Sequence, residues 1–283
     1  MAMARRAAPR KGGKLRILMI GAHPDDCELK CSGVAALWAR QGHTVRFVSA
    51  TNGGTGHHRI GGVELVRRRI AEAKAAAEVL GVESQVLPIM NGGLVPSLEY
   101  RSMFIRLIRD FKADVVITHR PNDYHPDHRY TSVLVQDSSY VVTVPNNCPE
   151  SPAPRHAPSV LYMADEFAKP TPFQPDFVAA IDSVMDKKLS AIVCHESQMF
   201  EWIPWNSGME EKQVPKSRAG RRKFAMERYG ERSADAADRF RPQLVAKYGQ
   251  KKGSAVKYAE AFERCEYGGR LTPAVEKKLF GAI

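Results

Sequence analysis

Three apolar runs constrain how this chain can fold: LRILMIGA at 15–22, TVRFVSAT at 44–51 and ADVVITH at 113–119. Their hydrophobic residues are nearly contiguous rather than strictly alternating, the pattern of strands covered on both faces, as in parallel sheets. Each run is followed by a segment with apolar residues at helical spacing. LKCSGVAALWARQG closes at Gly42, a helix from about Val63 to Leu80 stops at Gly81, and YTSVLVQDSSY follows the third run. A strand QVLPIM at 85–90 and a helix around YRSMFIRLIRDF continue the alternation. Consecutive strand–helix units predict an α/β fold, a Rossmann-like, doubly wound, mostly parallel sheet with helices on both faces.

Beyond residue 140 the pattern loosens. VPNNCPESPAPRHAPS reads as a proline-rich loop, SVLYMADE at 159–166 as a strand, and DSVMDKKLSAIVCHESQ as mostly helix. Residues 216 to 248 are charged and helical in pattern, while VKYAEAFERCEY fits neither period cleanly. There is no internal repeat and no long linker. The expected organisation is a basic flexible tail over 1–14, an α/β catalytic domain over 15–215, and a helical C-terminal extension over 216–283 packing on the same domain.

Composition narrows the class. No apolar stretch approaches the roughly 20 residues needed to span a bilayer, and the basic start MAMARRAAPRKGGK precedes too short an apolar segment to make a signal peptide. Five scattered cysteines argue against a disulfide framework and predict a cytoplasmic protein. The formal charge of +11 comes with no nucleic-acid-binding signature, so no nucleic acid partner is expected. An anionic substrate, an acidic partner or assembly into a homo-oligomer remains compatible with it.

Two clusters carry the chemistry. AHPDDCEL at 22–29 directly follows the first run, and THRPNDYHPDH at 118–128 ends the third. Loops at the carboxyl ends of parallel strands share one edge, where ligands bind, so the fold brings the clusters together. Imidazoles with carboxylates suit a divalent transition metal, and three protein ligands would leave a position for water. Asp25 and Asp26 cannot easily point the same way, and His125 and His128 are separated by two residues. One member of each pair can hold the metal while the other faces substrate, and spacing does not choose between them. A nucleotide-binding Rossmann-like protein is the main rival, disfavoured because GAHPDD lacks the glycine fingerprint and its carboxylates would repel phosphate.

At these residues the chain resembles the zinc-dependent N-acetylglucosaminyl de-N-acetylases of the PIG-L family, also called LmbE-like. The family pattern, AHPDD followed after one residue by Glu and later HPDH, matches Ala22 to Glu28 and His125 to His128 without substitution. TNGGTGH after the second strand, Arg69 and Glu72, the LG at 80–81, and HESQ at 195–198 extend the likeness over about residues 14 to 205. The resemblance implies His23, Asp26 and His128 as ligands of Zn2+ or another divalent transition metal. It implies Asp25 as general base and His125 as imidazolium stabiliser of the oxyanion, oriented by Asp127. The implied reaction is removal of an N-acetyl group from an N-acetylglucosamine-type sugar or glycoconjugate by water activated at the metal; amide hydrolysis of another N-acylated small molecule is the alternative. Arg69 and His195 are candidate substrate contacts. His119 and Asp123 are candidate supports of the ligands, His57 and His58 sit in a glycine-rich loop able to cover the site, and Trp202 and Trp205 are candidates for a sugar-facing wall. Gly54 departs from the acidic residue of many relatives.

Overall fold

The computed structural model describes residues 13–283, so most of the expected basic tail lies outside the described residues. The chain builds β1 (Arg16–Gly21), α1 (Asp26–Arg40), β2 (Thr44–Ser49), α2 (Gly62–Leu80), β3 (Glu83–Val86), α3 (Leu98–Phe111), β4 (Val115–Thr118), α4 (Pro126–Val141), β5 (Ser159–Met163), β6 (Phe177–Ala180) and α5 (Met185–Ile192). A π-helical turn, Ser197–Trp202, leads into α6 (Ile203–Asn206); then come α7 (Arg218–Ala225), α8 (Glu231–Arg239), α9 (Arg241–Tyr248), α10 (Gln250–Ala255), β7 (Ala259–Gly268) and α11 (Pro273–Phe280).

Among the described residues the strands form one sheet in the order β3-β2-β1-β4-β5-β7-β6. β1 pairs in parallel with both β2 and β4, and β5 continues the parallel run. β7 alone runs against its neighbours β5 and β6. β1 is buried on both faces, as its contiguous apolar run requires: Ile17 and Met19 join the core under α1 and α5, whereas Leu18 and Ile20 join the one under α3 and α4. After β1 the chain winds outward to β2 and β3, then returns to place β4 on the other side. The winding therefore reverses between β1 and β4, and the crevice beyond their carboxyl ends is where such sheets bind ligands. Both histidine–aspartate loops open there.

Three elements differ from the sequence expectation. β3 begins earlier and ends at Val86, because Pro88 has no N–H to continue the ladder; Leu87 makes one more bond, to Ser49 O at 2.9 Å. β6 is a strand that periodicity missed. The C-terminal extension is helical through α7 to α10, but AEAFERCEYG then enters the sheet as β7.

β7 also reaches the helix that leaves the first motif. α1 is kinked at Cys31 (φ −149°, ψ 16°), and Glu260 of β7 accepts from the Gly33 and Val34 amides at 2.9 and 2.7 Å. Lys188 of α5 lies 2.6 Å from Glu260 and donates to Leu29 O, so a buried ion pair closes the kink. Gly33 is needed for this approach, since a Cβ there would lie 2.8 Å from Ile181.

Candidate metal centre

Gly21 ends β1, and the chain turns so that Asp26, the first residue of α1, folds back on its own loop. Its Oδ2 accepts from Ala22 N at 2.9 Å and His23 N at 2.8 Å. The turn is tight enough that a Cβ on Gly21 would sit 2.7 Å from Asp26 Cβ. On the other loop His125 is the N-cap of α4: its Nδ1 accepts from the Asp127 amide at 3.1 Å, with Pro126 opening the helix and His128 in the first turn.

His23 Nδ1 lies 3.2 Å from His128 Nε2 and 3.6 Å from Asp26 Oδ2, and His128 Nε2 lies 3.5 Å from Asp26 Oδ1. Ligands held 2.0–2.2 Å from a tetrahedral zinc ion are separated by roughly 3.4 Å; the contacts here have about that spacing, but the two histidines meet different oxygens of Asp26, and the groups whose single ligand atoms all lie within 4.8 Å of one another are His23, His125 and His128, and Asp26, His119 and His128. The far nitrogens complete the argument. His23 Nε2 donates to Asp127 Oδ2 at 3.0 Å, and His128 Nδ1 lies 3.1 Å from Asp123 Oδ1, off the ideal hydrogen-bond line. Protons placed toward those two carboxylates leave the facing nitrogens as lone pairs beside a third acceptor, an arrangement that repels itself unless a cation sits between.

Burial works against ionisation of Asp26, but His128, His119 and His23 outweigh it and hold the carboxyl well below its ordinary value. Burial likewise disfavours protonated His128, yet Asp26 and Asp123 lift it above the usual imidazole range. His119 is buried, stacked on His128 at 4.3 Å with planes 5° apart, and its Nε2 lies 3.2 Å from Asp26 Oδ2 and 3.1 Å from Ala22 N. Burial pulls its pKa to about 4, so it is a neutral prop against both proposed ligands.

The sequence expectation for Asp127 changes. Its Oδ2 is 4.0 Å from His125 Nδ1 but bonded to His23 and to Gly92 N at 2.7 Å. It therefore orients His23, while His125 is oriented by the α4 backbone. Burial, reinforced by His23 and His128, lowers the His125 pKa. The α4 backbone occupies His125 Nδ1, which leaves Nε2 for another partner.

Asp25 is buried beside Arg69, whose Nη2 is 3.4 Å from Asp25 Oδ2 and donates to Pro24 O at 3.0 Å. Arg69 is only 2% exposed, so it packs behind Asp25 from inside and does not line the opening. His195 is also interior, its Nε2 3.2 Å from Glu28 on α1. The rest of HESQ fastens neighbouring loops: Ser197 donates twice to Glu72, at 2.8 and 2.6 Å, and Gln198 donates to Gly56 O. At Gly54 a Cβ would meet Val66 at 2.7 Å, so this loop is packed around the absence of a side chain.

Sequence reasoning passed over Tyr124. It is 74% exposed and stands edge-on to His125 and His128, each ring centre 5.8 Å away. Its position inside the second motif, next to His125, was the available signal.

The family model PIG-L: GlcNAc-PI de-N-acetylase matches residues 18–139, which contain both motif loops. A diacetylchitobiose deacetylase from Thermococcus kodakarensis is 30% identical over 199 residues, covering 67% of this chain and 73% of that one. A 4-oxalmesaconate hydratase from Pseudomonas putida is 27% identical over 196 residues, covering 65% and 74%. The fold matches the solved structure of N,N'-diacetylchitobiose deacetylase from Pyrococcus horikoshii with a TM-score of 0.67 at 22% identity, over 92% of this chain and 84% of that one. With both motif loops inside the matched region, this chain belongs to the PIG-L family of GlcNAc-PI de-N-acetylases.

Proposed function

We propose that this protein is a zinc-dependent hydrolase that removes the N-acetyl group of an N-acetylglucosamine-type sugar or glycoconjugate. The observation that carries the reading is the triangle of facing acceptors His23 Nδ1, Asp26 and His128 Nε2, at 3.2 to 3.6 Å. A divalent ion held by them would supply Lewis acidity, bringing the ionisation of water near neutral pH and polarising a carbonyl. Asp127 and Asp123 fix the tautomers of the two histidines, so each presents a lone pair without rearrangement. Asp25, its Oδ2 turned to Arg69, has Oδ1 to take the proton of the attacking water and return it to the leaving nitrogen. His125 Nε2–H donates to the acetamide oxygen as that atom gains charge, a contribution on the order of 3 kcal/mol at comparable oxyanion sites.

β7 completes the sheet and braces α1, which supports reading residues 15–215 and 216–283 as one catalytic unit. All five cysteines are unpaired, which supports a cytoplasmic setting, and no helix among the described residues is long and apolar enough to cross a membrane.

The test joins metal analysis of protein purified without added metal to an acetate-release panel of N-acetylated sugars and amino acids, with Asp25→Asn as background. One metal per chain and hydrolysis of acetylated amino sugars are expected. Hydrolysis confined to acetylated amino acids would overturn the sugar assignment. Hydration of an unsaturated dicarboxylate without acetate release would overturn the hydrolase reading.

A further inference from the structure

Asp25 occupies the N-cap of α1, where an aspartate carboxylate ordinarily accepts from a backbone amide two or three residues on. Here it caps nothing. Its carbonyl starts the helix by accepting from Leu29 N at 2.9 Å, yet the side chain makes no cap hydrogen bond. Its backbone, at φ 170° and ψ −17°, also departs from the extended conformation of a capping residue. The carboxylate is turned to α2 instead: Oδ2 lies 3.4 Å from Arg69 Nη2, and Oδ1 has no hydrogen bond or ion pair among the described residues.

Arg69 itself sits where stability alone would not put it. It is buried, Nη2 donates to Pro24 O at 3.0 Å, and both Nε and Nη1 are left without a partner. The neighbouring Arg68 shows the ordinary arrangement, bonded to both oxygens of Glu201 and 3.2 Å from Glu72. Buried donors left unmade destabilise a fold, so the placement of Arg69 points to what its remaining donor holds. The loop after β2 is shaped to admit it. Gly53, at φ +72°, lies where a Cβ would be 2.9 Å from Arg69 Nε and 3.4 Å from Pro24 Cδ. Thr51 fastens the same loop to the first motif, donating to Ala22 O at 2.8 Å through both its amide and its hydroxyl.

We propose that Arg69 is a positioning residue that withholds Asp25 from the helix cap: by holding Pro24 O and Asp25 Oδ2 together, it keeps the carboxylate off the α1 amides and leaves Oδ1 free to accept a proton. The proposal rests on the deacetylase reading above, with Asp25 as its base. Two arrangements compete for this side chain. The cap needs only the amides of Cys27 and Glu28, the second and third residues of α1, whereas the observed one needs a guanidinium from another helix. In the cap, N–H donors would stabilise the charged carboxylate and make it a weaker base. It would also be displaced, and a shift of about 1 Å in a reacting group costs on the order of 10²-fold in rate.

The experiment has two arms. In the first, kcat and KM for acetate release from N-acetylglucosamine and N,N'-diacetylchitobiose are measured for wild type, Arg69→Gln, Arg69→Met, Arg69→Lys, Asp25→Asn and the double variant Arg69→Gln/Asp25→Asn. Both neutral replacements of Arg69 should lower kcat about 10- to 100-fold with KM within about threefold, and Arg69→Lys should recover part of the loss. The double variant should be no slower than Asp25→Asn, because both substitutions act on one group. Loss confined to KM would make Arg69 a substrate contact, and additive losses in the double variant would place its effect elsewhere; either overturns the proposal. The second arm needs no turnover. Crystal structures of zinc-loaded wild type and of Arg69→Met, which keeps the buried stem and carries no donor to leave unpaired, should show the Asp25 carboxylate moved in the variant to within about 3.2 Å of the Cys27 or Glu28 amide. That movement supports the proposal even if wild type releases no acetate, a result that would overturn only the deacetylase reading. An Asp25 carboxylate in the same place in both structures overturns the proposal.

Discussion

Replacing Asp127 by Asn tests which histidine this aspartate serves. The carboxylate is fully buried, and although burial opposes its charge, the bonds from His23 and Gly92 hold its pKa below the ordinary value. Its Oδ2 accepts from His23 Nε2 at 3.0 Å and Gly92 N at 2.7 Å, and an Asn amide oxygen in the same place can accept both. What disappears is the negative charge that fixes the His23 tautomer and raises its basicity as a ligand. Removing such a carboxylate partner costs 10- to 100-fold in metal affinity, about 1.4 to 2.7 kcal/mol. The second oxygen, Asp127 Oδ1, has no partner, so the new amide N–H2 would be buried unpaired at a further cost of about 1 to 3 kcal/mol in fold stability. Zinc affinity is read by competition against a chromophoric chelator, with near-ultraviolet circular dichroism confirming the fold. Unchanged affinity in a folded protein whose kcat has dropped would refute the reasoning and return Asp127 to His125.

Asp25→Asn should keep its zinc and lose about 10²- to 10⁴-fold in kcat, measured by acetate release; near-normal turnover would remove Asp25 as the base. For His119 the sign follows from its pKa, about 4 folded against an ordinary 6.5. The folded chain binds fewer protons than the unfolded one between those values, so stability is full above pH 6.5 and falls toward pH 4 by up to about 3 kcal/mol. Urea unfolding of chelator-treated protein should show this decline flattened in His119→Gln, and parallel pH curves would dismiss it. Glu260→Ala leaves Lys188 buried without its counter-charge and the Gly33 and Val34 amides unpaired, and should cost about 3 to 5 kcal/mol in urea, with a smaller loss for Glu260→Gln; a loss under about 1 kcal/mol would show that the kink in α1 stands without β7.

The strands that hold the site were legible because the fold treats them uniformly. β1 and β4 are buried on both faces, so nearly every residue must be apolar and the run shows at any period. β7 is different. Glu260 is buried on Lys188, and Glu263 lies 3.2 Å from the buried Arg120, so charges that read as solvent-facing are the inner halves of ion pairs whose partners are remote in sequence. Periodicity has no means of seeing a charge neutralised by a residue 72 positions away. The same limit applied at the metal centre. The motifs displayed the right side chains, but the family resemblance implied that Asp127 orients His125. In the structure the α4 backbone occupies His125 Nδ1 and the Asp127 carboxylate meets a histidine 104 residues earlier, brought to it by the parallel pairing of β1 with β4.

The same considerations bear on substrate charge. A net charge of +11 suggests an anionic substrate, and a hydratase among the relatives makes a carboxylate-rich one worth weighing. Several cations around the opening are engaged within the protein, whereas the exposed Arg232, close enough to Tyr124 to act on it electrostatically, has no hydrogen bond or ion pair among the described residues. Arg69 reaches Asp25 and Pro24 O through Nη2, with its Nε and Nη1 buried and unpartnered; Arg129 is spent on the carbonyls of Asp123 and Tyr124, Arg120 on Asp165 and Glu263, and Lys30 on Ala164 O. Each of these fastens a loop of the site, which leaves Arg232 as a cation able to meet an anion without disturbing that scaffolding. Besides Arg232, Tyr124 and His125 border the opening. Tyr124 and His125 suit a hydroxyl-bearing ring, and Arg232 beside Tyr124 allows such a ring to carry an anionic substituent.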